Sequence, residues 1–297
     1  MKDMKSRVGV IVVLVGMLVG CSAPKVMVSH RQNAENAELN GDYSSATASW
    51  QLFFEQQMAA GSDMAPEVYA RAARSAYRAN QFDLAENWYS QARQGNFANR
   101  ELFLDLADIY SQQQNLSKEL QTLESYHENY PENPDSAGVA TRLFEIYEKI
   151  GNEGNAAELW PMMKAENRSA EKYLDKYFSI QRKLKNDDVA DTAAEELLAL
   201  NPKHVKALEW LGEKYYRQAE ERYQREMKAY EKNRTHLQHH HLLQELKLVN
   251  ADFQKSLRHF EVLWEMGPNS QYAAYMVNIY TRFENPEKAN YYRKYLK

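Results

Sequence analysis

Apolar and small residues recur along this chain with a helical period. One spacing keeps returning: two positions three apart, a gap of six, then positions three, four and three further on. Ala34, Ala37, Tyr43, Ala46, Trp50 and Phe53 fit it, as do Ala73, Ala76, Phe82, Ala85, Tyr89 and Ala92. Ala107, Tyr110, Leu116, Glu119, Leu123 and Tyr126 follow, then Phe144, Tyr147, Glu153, Ala156, Trp160 and Met163. Phe178, Gln181, Asp187, Ala190, Ala194 and Leu197 come next, and Val277, Tyr280, Pro286, Ala289, Arg293 and Leu296 close the chain. The steps from Ala73 to Ala107, Phe144 to Phe178 and Phe178 to Gly212 are each 34 residues. Steps of three and four put side chains on one helix face. The gap of six predicts a tight turn, as in Asn40-Gly41-Asp42 and Lys149-Ile150-Gly151-Asn152, where glycine accepts the left-handed conformation that ends a helix. Small alanines let two antiparallel helices approach, and Trp50, Tyr89 or Trp160 fills the space towards the next pair. Pro131, Pro202 and Pro268 fall where each second helix must stop.

These motifs resemble the tetratricopeptide repeat (TPR) family over residues 29–297. The copies are degenerate: Glu119 and Ser256 occupy a site that is usually alanine, and Gln181 stands where an aromatic is common. The resemblance implies an all-α, right-handed solenoid of about seven helix pairs. It also implies a concave groove lined by first helices, with no deep pocket, each repeat burying its core against its neighbours. The loops at Gly61–Pro66 and Pro131–Asp135 are longer than usual but do not read as domain boundaries.

The sixth repeat departs from the rest. Between Tyr215 and Phe253 it carries an insertion of 32 residues, and no Gly or Pro occurs from Glu213 to Met266. Leu208, Leu211, Tyr215, Ala219, Tyr223, Met227 and Tyr230 continue one helical stripe; Leu242, Leu246, Val249, Phe253, Leu257 and Phe260 form a second. Thr235-His236-Leu237-Gln238 between them has capping-box spacing. An extended antiparallel helical arm over about 216–250 is therefore predicted, each helix lengthened by roughly 24 Å.

The first residues change the picture of where the chain works. Lys2, Lys5 and Arg7 precede an uncharged run from Val8 to Gly20, too short for an ordinary membrane span of about 20 residues and suited to a signal-peptide core. It ends Leu18-Val19-Gly20-Cys21, and Cys21 is the single cysteine. This looks like a bacterial lipobox. The resemblance implies cleavage after residue 20, lipid attachment at Cys21, a tether over 21–28, and, with Ser22 in place of Asp, sorting to the outer membrane facing the periplasm. Several acyl chains would hold firmly where one is marginal.

Composition excludes more than it adds. One Cys leaves no disulfide framework and no Cys-based zinc site. Losing Lys2, Lys5, Arg7 and Asp3 from 37 basic and 41 acidic side chains leaves a mature charge of −6 with no basic stripe, which argues against nucleic acid. No Gly-rich phosphate loop or nucleophile elbow is present, so no catalysis, cofactor or small-molecule substrate is expected. No metal is expected either, although His236 and His240 lie one helical turn apart and offer an alternative pair of ligands. Glu220-Glu221 among Arg217, Arg222 and Arg225 reads as salt bridges along one helix surface. Mapping the repeats places Arg74, Tyr77, Arg78, Asp108 and Ser111 on the groove, then Glu145, Glu148, Glu209 and Glu213, mixed at one end and acidic at the other. The expected function is a scaffold that binds protein partners through the groove and the arm, tethered by its lipid, in envelope assembly or secretion. The alternative is a regulator recruiting a cell-wall hydrolase or protease to the membrane.

Overall fold

A computed structural model describes residues 29–296 of the chain. The expected signal segment, Cys21 and the whole of the expected tether, 21–28, lie outside those residues. The described residues form fifteen α-helices and no strand, in two compact units, residues 29–98 and 99–296. The sequence reading treated this stretch as one uninterrupted array. Each unit is described by itself.

The first unit pairs α1 (His30–Leu39) with α2 (Tyr43–Ala59) and α3 (Pro66–Arg78) with α4 (Phe82–Gln94). Its core is built as the spacing predicts: Ala34, Ala46, Ala73, Ala76, Ala85 and Ala92 are fully buried, and Trp50 and Tyr89 fill the gaps. One position differs: Phe54 is the buried phenylalanine, stacked on Trp50, and Phe53 is only half-buried. Glu38 organises the unit. Its carboxylate accepts from Trp50 Nε1 at 2.8 Å, Ser75 Oγ at 2.7 Å and Arg71 Nε at 2.7 Å, joining three helices.

In the second unit α5 (Arg100–Gln112) pairs with α6 (Leu116–Asn129), and α7 (Ser136–Ile150) with α8 (Glu153–Leu159). The helix α10 (Glu171–Lys183) pairs with α11 (Asp187–Leu200), α12 (Val205–Lys232) with α13 (His236–Met266), and α14 (Ser270–Arg282) with α15 (Pro286–Arg293). Ala190, Ala194, Leu197 and Phe178 form one core with Ala207 and Leu211; Phe253, Phe260, Leu263, Met276 and Tyr280 form the next.

The turns inside the pairs share one chemistry. Gly41, Asn80, Gln114, Gly151, Lys185 and Glu284, each four residues after the last contact position of its first helix, hold φ between 53° and 74°. The following amide then reaches back to that contact residue: Asp42 to Ala37, Gln81 to Ala76, Asn115 to Tyr110, Asn152 to Tyr147, Asn186 to Gln181 and Asn285 to Tyr280, all within 2.8–3.0 Å. This is the hydrogen bond that satisfies the orphan carbonyls at a left-handed helix end. The Asp42, Asn115, Asn152 and Asn285 side chains then cap the second helices. The repeat register is thus written in backbone geometry as well as in side-chain burial, and the chain is an all-α, TPR-like series of helix pairs.

Two repeats break the pattern. In the fourth, Pro161 stops α8 at Leu159; a 3-10 turn, Trp160–Met162, and the one-turn helix α9 (Ala165–Arg168) follow. The sequence reading carried that helix through Trp160 to Met163, yet a proline lacks the N–H that would continue it. In the sixth, the predicted arm is present. The helices α12 and α13 run 28 and 31 residues, and Thr235 Oγ1 caps α13 through the Gln238 amide. Ala219, Leu242 and Val249 are buried along the seam, with Tyr223, Met227, Tyr230 and Leu246 half-buried beside them. Among the described residues no helix is long and apolar enough to cross a membrane.

Candidate protein-binding surface

The sequence-predicted groove residues fall in separate units and have separate surroundings. On α3, Arg74 and Arg78 are exposed on one helix face with Tyr77 half-buried between them. Arg78 lies over the Tyr43 ring at 5.6 Å and Tyr77 packs near Phe82 at 6.1 Å. This patch is cationic and aromatic.

The second unit is different. Its first helices carry a ladder of opposite charges spaced about one repeat apart. Arg142 of α7 reaches Asp108 of α5 at 2.6 Å, and Ser111 stands exposed one turn further along α5. Glu145 accepts from Lys172 Nζ at 3.1 Å and from the Tyr173 hydroxyl at 2.9 Å; Glu148 holds Lys176. Asp175 holds Lys206 at 2.8 Å and faces His204 Nε2 at 3.3 Å. Glu209 accepts from the Tyr272 hydroxyl and Glu213 from Gln271. The ladder ends where Glu220 takes both contacts from Arg282, whose guanidinium lies 4.0 Å from the Tyr223 ring centroid.

This corrects the expected acidic end. Glu145 and Glu148 are neutralised in place by Lys172 and Lys176, so the face is an ion-pair ladder of alternating sign. The partners went unread because each lies 27 or 28 residues downstream; only charges compared across whole repeats would have exposed them. The Glu220-Glu221 expectation is corrected likewise. Glu220 bonds across to α14, while Arg222 approaches Glu245 and Asp252 of α13 at 3.9 Å.

The ladder shapes the tyrosines on it. Burial first, then the Glu209 carboxylate, push the Tyr272 hydroxyl up to about 12. Burial and Glu145 raise Tyr173 in the same way. Such phenols stay protonated and act as donors, not as acids. At Arg142 burial opposes the charge, but hydrogen bonds to Glu119 and Asp108 more than offset it, and the guanidinium is held more firmly charged than usual.

The polar departures from the repeat pattern are each satisfied inside the fold. Glu119 accepts from Arg142 Nη2 at 2.8 Å, Gln181 from Asn186 at 2.9 Å, and Ser256 donates to the Gly212 carbonyl at 2.8 Å. At the arm tip His236 is exposed, His240 faces Gln244 at 3.3 Å, and His241 faces the buried Glu226 at 3.2 Å. Among the described residues no three His, Cys, Asp or Glu side chains come together as a metal site.

No protein-family model and no curated protein matches the chain. Its fold is similar to solved structures at low identity. A tetratricopeptide repeat protein from Parabacteroides merdae is 13% identical, with 89% of this chain and 90% of that one covered and a TM-score of 0.42. The C-terminal part of a TPR repeat-containing protein from Cytophaga hutchinsonii is 14% identical over 89% of this chain and 93% of that one, with a TM-score of 0.39. YrrB, a TPR protein with an unusual peptide-binding site, is 14% identical over 61% of this chain and 89% of that one, with a TM-score of 0.43. At these scores the helix-pair architecture stands on this chain's own turns, caps and buried alanines.

Proposed function

We propose that this chain is a non-catalytic, lipid-anchored adaptor that binds protein partners at the periplasmic face of the outer membrane, in envelope assembly or secretion. The observation that carries the reading is the N-terminal run ending Leu18-Val19-Gly20-Cys21 ahead of a long series of helix pairs. The anchor confines the chain to a surface and raises the effective concentration of whatever it holds. The repeated first-helix faces favour a partner that touches several repeats at once, and the Arg74-Tyr77-Arg78 patch supplies an aromatic flanked by cations, a composition enriched in binding hot spots. The charged side chains of the first-helix ladder, Glu145, Glu148, Asp175 and Glu220, are taken up by Lys172, Lys176, Lys206 and Arg282, a structural use.

Two measurements on one pair of strains test the reading. Cys21→Ala should lose stable membrane fractionation or persist as an uncleaved precursor, and the wild type should co-purify a membrane-assembly or secretion component from detergent extracts. A Cys21→Ala protein that still fractionates as mature, acylated outer-membrane protein refutes the anchor. A cell-wall hydrolase in the eluate assigns the chain to recruitment of that enzyme instead.

A further inference from the structure

The break in the fourth repeat opens a cleft. It lies where α8 stops at Leu159 and the chain turns through Trp160–Met162 and α9 before α10, beside the end of α11. A cavity of about 470 Å³ lies there, lined by Trp160, Arg168, Ser169, Leu174, Glu196 and Leu200. That volume falls within the range of sites that take small ligands. None of the sequence-predicted groove residues lines it.

Three features make it more than a packing fault. Trp160 forms a rigid wall, stacked flat on Tyr177 with centroids 4.1 Å apart and planes 5° apart. Leu174 floors the cleft, and Leu200 stands 52% exposed at its edge, an apolar side chain with nothing over it among the described residues. Arg168 supplies the chemistry. Its Nε is buried and has no hydrogen-bond partner among the described residues, while the side chain as a whole is half-exposed. A buried donor left unmade is costly, and a cationic one more so. Glu196, on the same cleft, does not close onto it. The site therefore holds a guanidinium with one buried, unpaired donor beside an apolar wall, with the exposed Glu196 at its rim.

We propose that this cleft binds a peptide segment presenting a carboxylate next to an apolar side chain. Arg168 takes the carboxylate, Trp160, Leu174 and Leu200 take the apolar group, and Glu196 accepts from a backbone N–H of the peptide. A single guanidinium facing Glu196 suits a monoanion and disfavours a phosphate, whose second charge would meet that glutamate. The carboxylate belongs either to a chain terminus or to an Asp or Glu side chain; the recognition chemistry is the same. The inference is independent of the lipid anchor, since membrane fractionation does not report on it.

Calorimetry on the full chain in detergent separates the sources with three peptides: acetyl-Ala-Ala-Leu as free acid, the same peptide as C-terminal amide, and acetyl-Ala-Glu-Leu amide. At least one carboxylate-bearing peptide should bind and change the tryptophan fluorescence, while the first peptide's amide does not. Binding of the free acid alone assigns a terminal carboxylate, and binding of the Glu peptide alone a side chain. Arg168→Gln should weaken that binding about tenfold or more, the worth of one charge-assisted hydrogen bond. Leu200→Glu, a surface substitution that leaves folding intact, should weaken it similarly by placing a like charge at the edge. Equal binding of the uncharged amide, unchanged affinity in both variants, or no binding of any peptide at millimolar concentration would overturn the proposal.

Discussion

Arg142→Met tests whether the charge ladder holds the second unit together or merely decorates it. Arg142 joins Asp108 at 2.6 Å and Glu119 at 2.8 Å, and the two carboxylates are unequal. The Asp108 side chain is 44% exposed and can return to water; Glu119 is only 10% exposed. Methionine keeps the length of the stem but strands the Glu119 carboxylate. Removing one partner of a buried pair costs about 3–5 kcal/mol. The remaining access of Arg142 to solvent, 29%, screens the pair and brings the expected loss to about 2–3 kcal/mol. Glu119 occupies the repeat's alanine position, so Glu119→Ala in the Arg142→Met background removes the stranded charge and restores the residue the helix contact favours. The double variant should regain at least about 1 kcal/mol, a coupling typical of residues in direct contact. Urea unfolding followed by far-UV ellipticity reads both, provided the slope with urea is unchanged between variants. A single variant within about 0.5 kcal/mol of the parent, the ordinary range for surface changes, refutes the argument. So does a double variant less stable than Arg142→Met alone.

Three further outcomes follow from packing and titration. Gly95→Ala should destabilise the first unit by about 1–3 kcal/mol in thermal unfolding, because a Cβ there would collide with the Pro66 ring, which opens α3 and cannot swing aside. His259, stacked on Tyr215, has its pKa pushed down by burial and then by Arg258, so the folded state prefers the neutral ring. Its contribution is therefore complete above pH 6.5 and is lost as pH falls through the folded value; His259→Phe should flatten the acid limb of a stability–pH curve, and an unchanged limb counts against it. Replacing residues 225–243 with a short turn should leave a folded second unit and abolish one partner interaction. The cut spares Glu220 and Tyr223, which hold Arg282 of α14, and collapse of helicity would show the arm tip to be structural.

The fold was legible because its period is carried by residues that do one thing. Buried alanines such as Ala73 and Ala107 mark helix contacts whatever surrounds them, and a run without Gly or Pro between Glu213 and Met266 had no way to be a loop. Pro161 was passed over because Trp160 and Met163 kept apolar character at the expected places; Met163 is indeed 3% exposed, reached through a 3-10 turn and not a helix. Glu38 was invisible for a deeper reason. On sequence it is one glutamate on a polar stretch of α1, and its meaning comes from Trp50, Ser75 and Arg71 converging from two other helices. Side-chain networks of this kind have no period. The same holds for Arg168, an unremarkable arginine until the broken helix leaves its Nε buried and without a partner.

The arm shows how an array can lengthen one repeat without losing its register. Six turns among the described residues use a residue at positive φ to end the first helix. In the sixth repeat the matching position is Ala219, which is helical and fully buried. Alanine has the strongest helix preference and resists the left-handed conformation, so the first helix runs on and must turn back later, at Asn233-Arg234-Thr235. What keeps the returning helix in register is the base of the pair. The missing side chain of Gly212 lets the Phe260 ring sit where an added Cβ would be only 3.1–3.3 Å from it, and Ser256 Oγ ties the two helices through the Gly212 carbonyl at 2.8 Å. Ser256, read on sequence as a degenerate alanine, is thus a clamp at the root of the arm. Ser256→Ala should therefore do little to overall helicity but lower the stability of this pair by about 1 kcal/mol, the usual worth of one buried hydrogen bond. Site-resolved hydrogen exchange would locate the loss, with amides along α12 and α13 opening more readily while those of α5 and α6 are unchanged. Uniform loosening of the whole second unit, or none at all, would show that the arm is registered by its seam and not by its root.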